Sequence, residues 1–367
     1  MDFGKRRDRL RRLVKEAGGH SMLVTHGVNV SYLTGFSGDD SYLIVGPQGD
    51  LIISDPRYEA QIAEECPGLD SFIRSPKVPL LEATIEQLVL WQPASLLVEG
   101  EALSYAAYQR VSDGLHSVSL GAASGLVESL RMIKDKEELA RTRLAVDIAQ
   151  RVFTSVKATL QGCQSEWDVV CEIEQLSRRL GASGTSFKPI VAVGARAALP
   201  HAVAGSQRID SAPFVLIDWG ATARGYRSDL TRVLVTSKIP AKLSKMYEAV
   251  LAAQQAAIQA LRPGALTSSI DQVARAELER RGMNKYFNHG LGHGIGLEIH
   301  ESPRLGQSLN RPLEPGMIVT VEPGVYFPGF GGVRIEDDVL ITRDGHEVLS
   351  TLPRSLEENC VELLPGK

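Results

Sequence analysis

The chain opens with one apolar stripe. Leu10, Leu13 and Val14 recur at helical spacing inside the basic segment MDFGKRRDRLRRLVKEAGG and predict a surface helix. Residues 20–54 then alternate short apolar runs with turns: SMLVT, YLTGF and SYLIVGPQGDLIIS. GPQGD reads as a hairpin turn between two strands. Helical patterns follow near 57–66 and 79–91, and LLVEG at 96–100 reads as a buried strand. GAASG, from residue 121, is a run of small residues suited to a linker. Beyond it Leu139, Val146, Ala149, Val152, Phe153 and Val156 trace a long amphipathic helix that begins near Lys134. A second helix, about 166–180, closes at Gly181. FVLIDWG and LTRVLVT read as paired strands around a glycine-containing turn. Helices near 241–261 and 269–281 end at Pro263-Gly264 and at Gly282, and MIVTVEPG and GVRIEDDVLIT return the chain to strands.

Composition narrows the class. With 367 residues the chain is long enough for two domains, and its 43% hydrophobic and 23% charged residues are those of an ordinary globular protein. A formal charge of −4 gives no pull toward nucleic acid or anionic membrane, so neither is expected as a partner. Cys66, Cys163, Cys171 and Cys360 form no CxxC pair, and free thiols in a cytoplasmic protein are the simplest reading. No apolar run reaches the roughly 18 residues of a membrane span, and the N-terminus lacks the apolar core of a signal peptide.

The candidate chemistry lies in the second half. Asp218 closes one strand of a hairpin and Asp229 opens the next, so both carboxylates can face one cation. Aspartates at the corners of an ordinary turn give the same pattern. Thr231 shares the strand face of Asp229 and offers a supporting hydroxyl. In NHGLGHGIGLEIHESPR, glycines at 290, 292, 294 and 296 forbid a stable helix and let backbones approach closely. His293 is the expected ligand there, His300 a nearby hydrogen-bond donor, and His289 supporting structure. Glu322 lies in an otherwise apolar strand. Alternation puts Arg334, Glu336 and Asp338 on one strand face, with Val333, Ile335 and Asp337 on the other. A buried carboxylate is costly unless paired or metal-bound. Arg334 alone could neutralise Glu336, but Asp218, Asp229 and Glu322 need partners too. Four carboxylates and one imidazole suit hard or borderline divalent cations, and two such ions account for all five residues at once.

Together the segments FKPIVAVGARAALPHA, DWGATARGYRSDLTR, HGLGHGIGLEIHE, EPGVY and GVRIEDD resemble the pita-bread metallopeptidases. That family includes methionine aminopeptidase, aminopeptidase P, prolidase and the metal-free creatinase. VNVSYLTGFSG, ISDPRYEAQ and RMIKDKEELARTRLA extend the resemblance over nearly the whole chain. It implies an α/β (α+β) protein: a creatinase-like N-terminal α/β domain at 1–121, a linker at 122–133, and a pita-bread catalytic domain at 134–367 with a curved antiparallel sheet and covering helices. The N-terminal domain points to the proline-specific branch, and the five retained ligands point away from a creatinase-like or purely binding role. The implied activity is hydrolysis of the Xaa-Pro bond with two divalent metal ions, manganese first and cobalt or zinc as alternatives. The resemblance makes Glu322 both ligand and proton acceptor, and His300 a donor to the oxyanion. It places His201 on a loop over the substrate. The planar fork of arginine suits Arg304 and Arg334 to the product-side carboxylate, although Arg304 also reads as a solvated loop charge. Some prolidases carry an arginine at the place of Arg304 in HESPR, where it caps a dipeptide's carboxylate. This favours an Xaa-Pro dipeptidase over an aminopeptidase P acting on longer peptides. Lys188 departs from the acidic residue often found at its place. A homodimer is also implied.

Overall fold

A computed structural model describes residues 1–308 and 310–365. Among these, Met1–Arg131 forms one compact unit and the chain from Met132 onward a second. No described helix is long and apolar enough to cross a membrane.

In the first unit the expected opening helix spans Phe3–Glu16, with Asp2 capping it and Leu10 and Val14 buried. Its basic face is partly structural: Arg7 Nε and Arg11 Nη2 reach Asp50 at 2.7 and 2.6 Å. The strands are β1 (Ser21–Val24), β2 (Tyr42–Gly46), β3 (Gly49–Ser54), β4 (Asp70–Ile73), β5 (Ser95–Glu99) and β6 (Ser119–Ala123), in the sheet order β4-β3-β2-β1-β5-β6. The GPQGD turn joins β2 to β3 with Gly46 opposite Gly49. Only β2 runs against both its neighbours; the other pairs are parallel. The GAASG stretch behaves differently from a linker. Its first residues pair with β5 as the edge strand β6, and a helix follows at Leu126–Arg131. Small residues suit this edge as well as they suit a linker: a Cβ on Gly121 would lie 3.1 Å from Leu97.

The second unit begins with a long helix, Lys136–Thr159, started by a capping box between Asp135 and Glu138. Another capping box, Ser165 with Asp168, starts the helix Glu166–Arg179, and Gly181 follows it at φ +100°. Its first strands are β7 (Gly184–Thr185), β8 (Ile190–Val193), β9 (Phe214–Trp219), β10 (Ala221–Ala223), β11 (Tyr226–Arg227) and β12 (Leu230–Val235). The predicted hairpin is β9 with β12, in register from Leu230 opposite Trp219 to Val235 opposite Phe214. Every residue of both strands is buried, because helices cover both faces. Val215, Ile217 and Trp219 join Val152 and Phe153 of the long helix, while Leu216, Val233 and Val235 join Met246 and Val250 of the helix Ala241–Ala260. The remaining strands are β13 (Gly292–Gly294), β14 (Glu301–Leu305), β15 (Ile318–Val321), β16 (Gly324–Phe327), β17 (Gly331–Arg334), β18 (Asp337–Ile341) and β19 (His346–Val348). Five of them form the antiparallel sheet β14-β13-β15-β18-β19. A bridge from Thr231 to Glu336 joins this sheet system to the β9–β12 hairpin. The site is built at that junction.

Candidate metal centre

Four of the five candidate ligands sit where a strand starts or stops. Asp218 is the penultimate residue of β9 and Asp229 immediately precedes β12. Between them the chain closes so tightly at Gly220 that a Cβ there would fall 1.8 Å from the Ser228 carbonyl. His293 is central in β13, and its flanking glycines answer the same constraint. A Cβ at Gly292 would meet the Thr320 carbonyl at 2.0 Å, and one at Gly294 the Ser302 carbonyl at 2.3 Å. Glu322 follows β15, where its N–H donates to Leu291 at 2.9 Å. Glu336 occupies the gap between β17 and β18, opposite Thr231.

These five side chains line one cavity of about 660 Å³. Asp229, His293 and Glu336 each offer a ligand atom within 4.8 Å of the others. His293 Nε2 also lies 3.4 Å from Glu322 Oε1, and its Nδ1 faces the Gly294 carbonyl at 3.0 Å. Asp218 is tied to Arg334, whose Nη2 donates to Oδ2 at 2.5 Å.

The electrostatics call for a cation. Burial, with the charges of Glu336, Asp218 and Glu322 added, pushes the Asp229 carboxyl well above its usual range. Glu336 is raised in the same way, by burial first and then by Glu322 and Asp218. Burial takes Glu322 up to about 7 and holds His293 down to about 3. Burial raises Asp218 even with Arg334 beside it. Asp218 Oδ1 and Glu336 Oε1 are buried with no hydrogen-bond partner among the described residues. Crowded carboxylates, orphaned oxygens and a neutral imidazole form a donor set that fits divalent metal.

Residues 140–343 match metallopeptidase family M24, and residues 6–133 match the creatinase/prolidase N-terminal domain. The chain belongs to metallopeptidase family M24. It is 35% identical to a Pyrococcus furiosus protein named Xaa-Pro dipeptidase, over 95% of this chain and 99% of the relative. Its structure resembles that of an Xaa-Pro dipeptidase from Bacillus anthracis, with a TM-score of 0.93, 35% identity, and 96% and 99% of the two chains covered. It also resembles an X-Pro aminopeptidase from Thermotoga maritima, with a TM-score of 0.88, 30% identity, and 97% and 100% covered. The protein is therefore a metallopeptidase with a creatinase-like N-terminal unit and a pita-bread catalytic unit.

The other expected residues of this M24 site divide by geometry. His201, His300 and Arg304 all line the cavity. The His300 ring stands edge-on to His293 with centroids 4.4 Å apart. Arg304 is opposite His293 in the β13–β14 register, exposed, and without an ion pair among the described residues. Lys188 is in the cavity wall with its Nζ 5.5 Å from the Trp167 ring. Arg334, expected to hold a substrate carboxylate, also lines the cavity but is 3% exposed and already engaged. It donates to Thr231 Oγ1 at 3.1 Å and to the Tyr326 hydroxyl at 2.9 Å as well as to Asp218. Each of its three donor nitrogens thus already has a protein acceptor.

Three residues gained roles that sequence reasoning did not give them. His289, read as supporting structure, lines the cavity, and its Nε2 meets the Tyr326 hydroxyl at 2.9 Å. Tyr326 thereby links His289 to Arg334. Its only sequence signal was its place in EPGVY. Asp338 Oδ2 accepts from the Asp229 N–H at 3.0 Å, holding a candidate ligand by its backbone. The strand alternation had already put Asp338 on the Glu336 face. Asp337, on the other face, accepts instead from Arg232 at 2.8 Å and Arg354 at 2.6 Å.

Proposed function

We propose that this peptidase cleaves the Xaa-Pro bond of dipeptides. The observation that carries the reading is Arg304. Its guanidinium, without an ion pair among the described residues, lies in the cavity wall across the strand pair from His293. A dipeptide's terminal carboxylate is the charge that fits it, and arginine's planar fork suits a carboxylate. The relatives named for Xaa-Pro dipeptidase support the bond class.

The ligand set of this reading is Asp218, Asp229, His293, Glu322 and Glu336, holding two divalent cations. Manganese is the first candidate, with cobalt or zinc as alternatives. When bound, the cations polarise the scissile carbonyl and acidify a water. Glu322 takes the proton of the attacking water. Thr320 Oγ1, 3.2 Å from Oε1, orients that carboxylate. His300 donates to the oxygen that gains charge, a contact worth on the order of 3 kcal/mol when one donor is lost. His201 contacts the substrate from the loop that follows β8. Proline's ring nitrogen carries no hydrogen, so none of these contacts relies on a substrate N–H at that position. A homodimer belongs to the same proposal, on the family resemblance.

The test is a peptide-length series with manganese-reconstituted protein, comparing Ala-Pro with Ala-Pro-Ala-Ala. Turnover of the dipeptide is expected. Rapid cleavage of the longer peptide with no dipeptide turnover would replace this reading with an Xaa-Pro aminopeptidase. Protein that binds no metal and cleaves neither peptide would overturn both.

A further inference from the structure

The loop that carries His201 is held at both ends by one carboxylate. Glu166 is the first residue of the helix Glu166–Arg179 and is 0% exposed. Its Oε1 accepts from the Val193 N–H at 2.9 Å, where β8 ends. Its Oε2 accepts from the Gly205 N–H at 2.8 Å, where the loop returns. Arg196 Nε lies between the two oxygens, at 2.9 and 3.0 Å, and the same guanidinium donates to the Val203 carbonyl. The backbone adds two ties from the same helix start: Glu166 N–H to Gln207 at 2.9 Å and Trp167 N–H to Gly205 at 3.1 Å.

His201 stands between these anchor points. Apolar packing on this loop is uneven: Ala197 and Ala202 are buried in the core, whereas Leu199 is 56% and Val203 64% exposed. The polar contacts at the base of the loop add to that packing and fix its two ends. Only a carboxylate can do this here. Both backbone N–H groups and the guanidinium are donors, so both side-chain oxygens must accept. A buried charge is tolerated because every side of it is paired.

We propose that Glu166 is a positioning residue for His201: it closes the base of the 193–205 loop and sets where the imidazole meets the substrate. The proposal rests on the reading of His201 as a substrate contact. Displacing a positioned group by about 1 Å is enough to cost on the order of 100-fold in rate.

The test uses manganese-reconstituted wild type, Glu166→Gln, His201→Ala and the double variant, with Ala-Pro as substrate and amide hydrogen exchange as a second readout. Glutamine keeps the volume but turns an N–H₂ toward one of the donors. Glu166→Gln should lower kcat/KM by about 10- to 100-fold in the wild-type background. In the His201→Ala background it should add no more than about 2-fold, because the two changes act through one group. Amides of residues 194–206 should exchange faster while those of β9 and β12, and the metal content, stay as in wild type. Should Glu166→Gln not fold, Arg196→Met removes the bridge from its exposed side and should give the same pattern. An equal loss in both backgrounds, or unchanged exchange in the loop, overturns the proposal and leaves the His201 reading standing. Wild-type kcat/KM in His201→Ala sinks that reading, and the proposal with it.

Discussion

Thr231 donates its hydroxyl to Glu336 Oε2 at 2.6 Å, across 105 residues of sequence. Thr231 Oγ1 in turn accepts from Arg334 Nε at 3.1 Å. One small side chain thus orients a candidate ligand while keeping a buried arginine in place. Thr231→Val preserves shape and removes both contacts. It should lower metal affinity by about 10- to 100-fold, the usual consequence of losing a hydrogen bond to a ligand. It should also destabilise the protein by about 1–3 kcal/mol, since buried polar groups lose their partner. Metal titration by calorimetry and thermal unfolding check the two effects. Wild-type affinity would remove Thr231 from the supporting role.

Arg334 distinguishes two assignments that sequence alone leaves together. Its three donor nitrogens are taken by Thr231, Tyr326 and Asp218. Lysine keeps the charge but not the fork. Arg334→Lys should therefore reduce metal affinity and kcat, each by about 10-fold or more, with little change in KM for Ala-Pro. A raised KM with metal affinity intact would return Arg334 to the substrate.

The ligand candidates were legible because each obeys a local rule. Asp218 and Asp229 end strands of a hairpin, His293 sits among glycines, and Glu322 and Glu336 interrupt apolar strands. What stayed hidden depends on contacts between distant segments. Asp338 meets Asp229 through a backbone N–H 109 residues away, and no period in either strand reports it. Glu166 looks like an ordinary acidic residue in the first turn of a helix, because its partners at Val193 and Gly205 lie in another segment. Arg334 and Glu336 line the same cavity, the side on which alternation puts them together. Alternation does not say whether that face opens toward substrate or closes over protein acceptors. The GAASG stretch misled for a similar reason: small residues fit a linker and a sheet edge equally, and the pairing of β6 with β5 decides.

Arg304 and His300 should separate binding from chemistry. Arg304 has no ion pair among the described residues, so its removal leaves no buried charge behind. Arg304→Ala should raise KM for Ala-Pro by about 10-fold or more with metal affinity unchanged, because a charge-assisted contact to the carboxylate is lost. His300→Ala should instead lower kcat by about 100-fold or more, because its contact strengthens as charge develops on the oxygen. Steady-state kinetics on Ala-Pro check both. Equal effects of Arg304→Ala on Ala-Pro and on Ala-Pro-amide would show that it does not meet the carboxylate.

Metal removal should make stability fall as pH rises above neutrality. Glu322 is raised to about 7, and Asp229 and Glu336 are raised well above their usual values, by burial first in each case. In the unfolded chain such carboxyls titrate near 4. The folded, metal-free protein therefore keeps protons that the unfolded chain has lost, and stability declines until the folded-state values are passed. His293 and His289 act in the opposite sense, being held by burial to about 3 and about 4. Their effect fades as pH rises through about 6.5, where the unfolded imidazole loses its proton too. Above about pH 6.5 the carboxylates increasingly dominate. Between there and pH 8 the melting temperature of chelated protein should drop steadily. Manganese should protect increasingly over the same range, because the cation replaces the missing protons. Parallel melting curves with chelator and with manganese at several pH values check this. A gap between the two that stays constant with pH would mean that the buried carboxylates are ionised without metal, and that something other than a cation balances them.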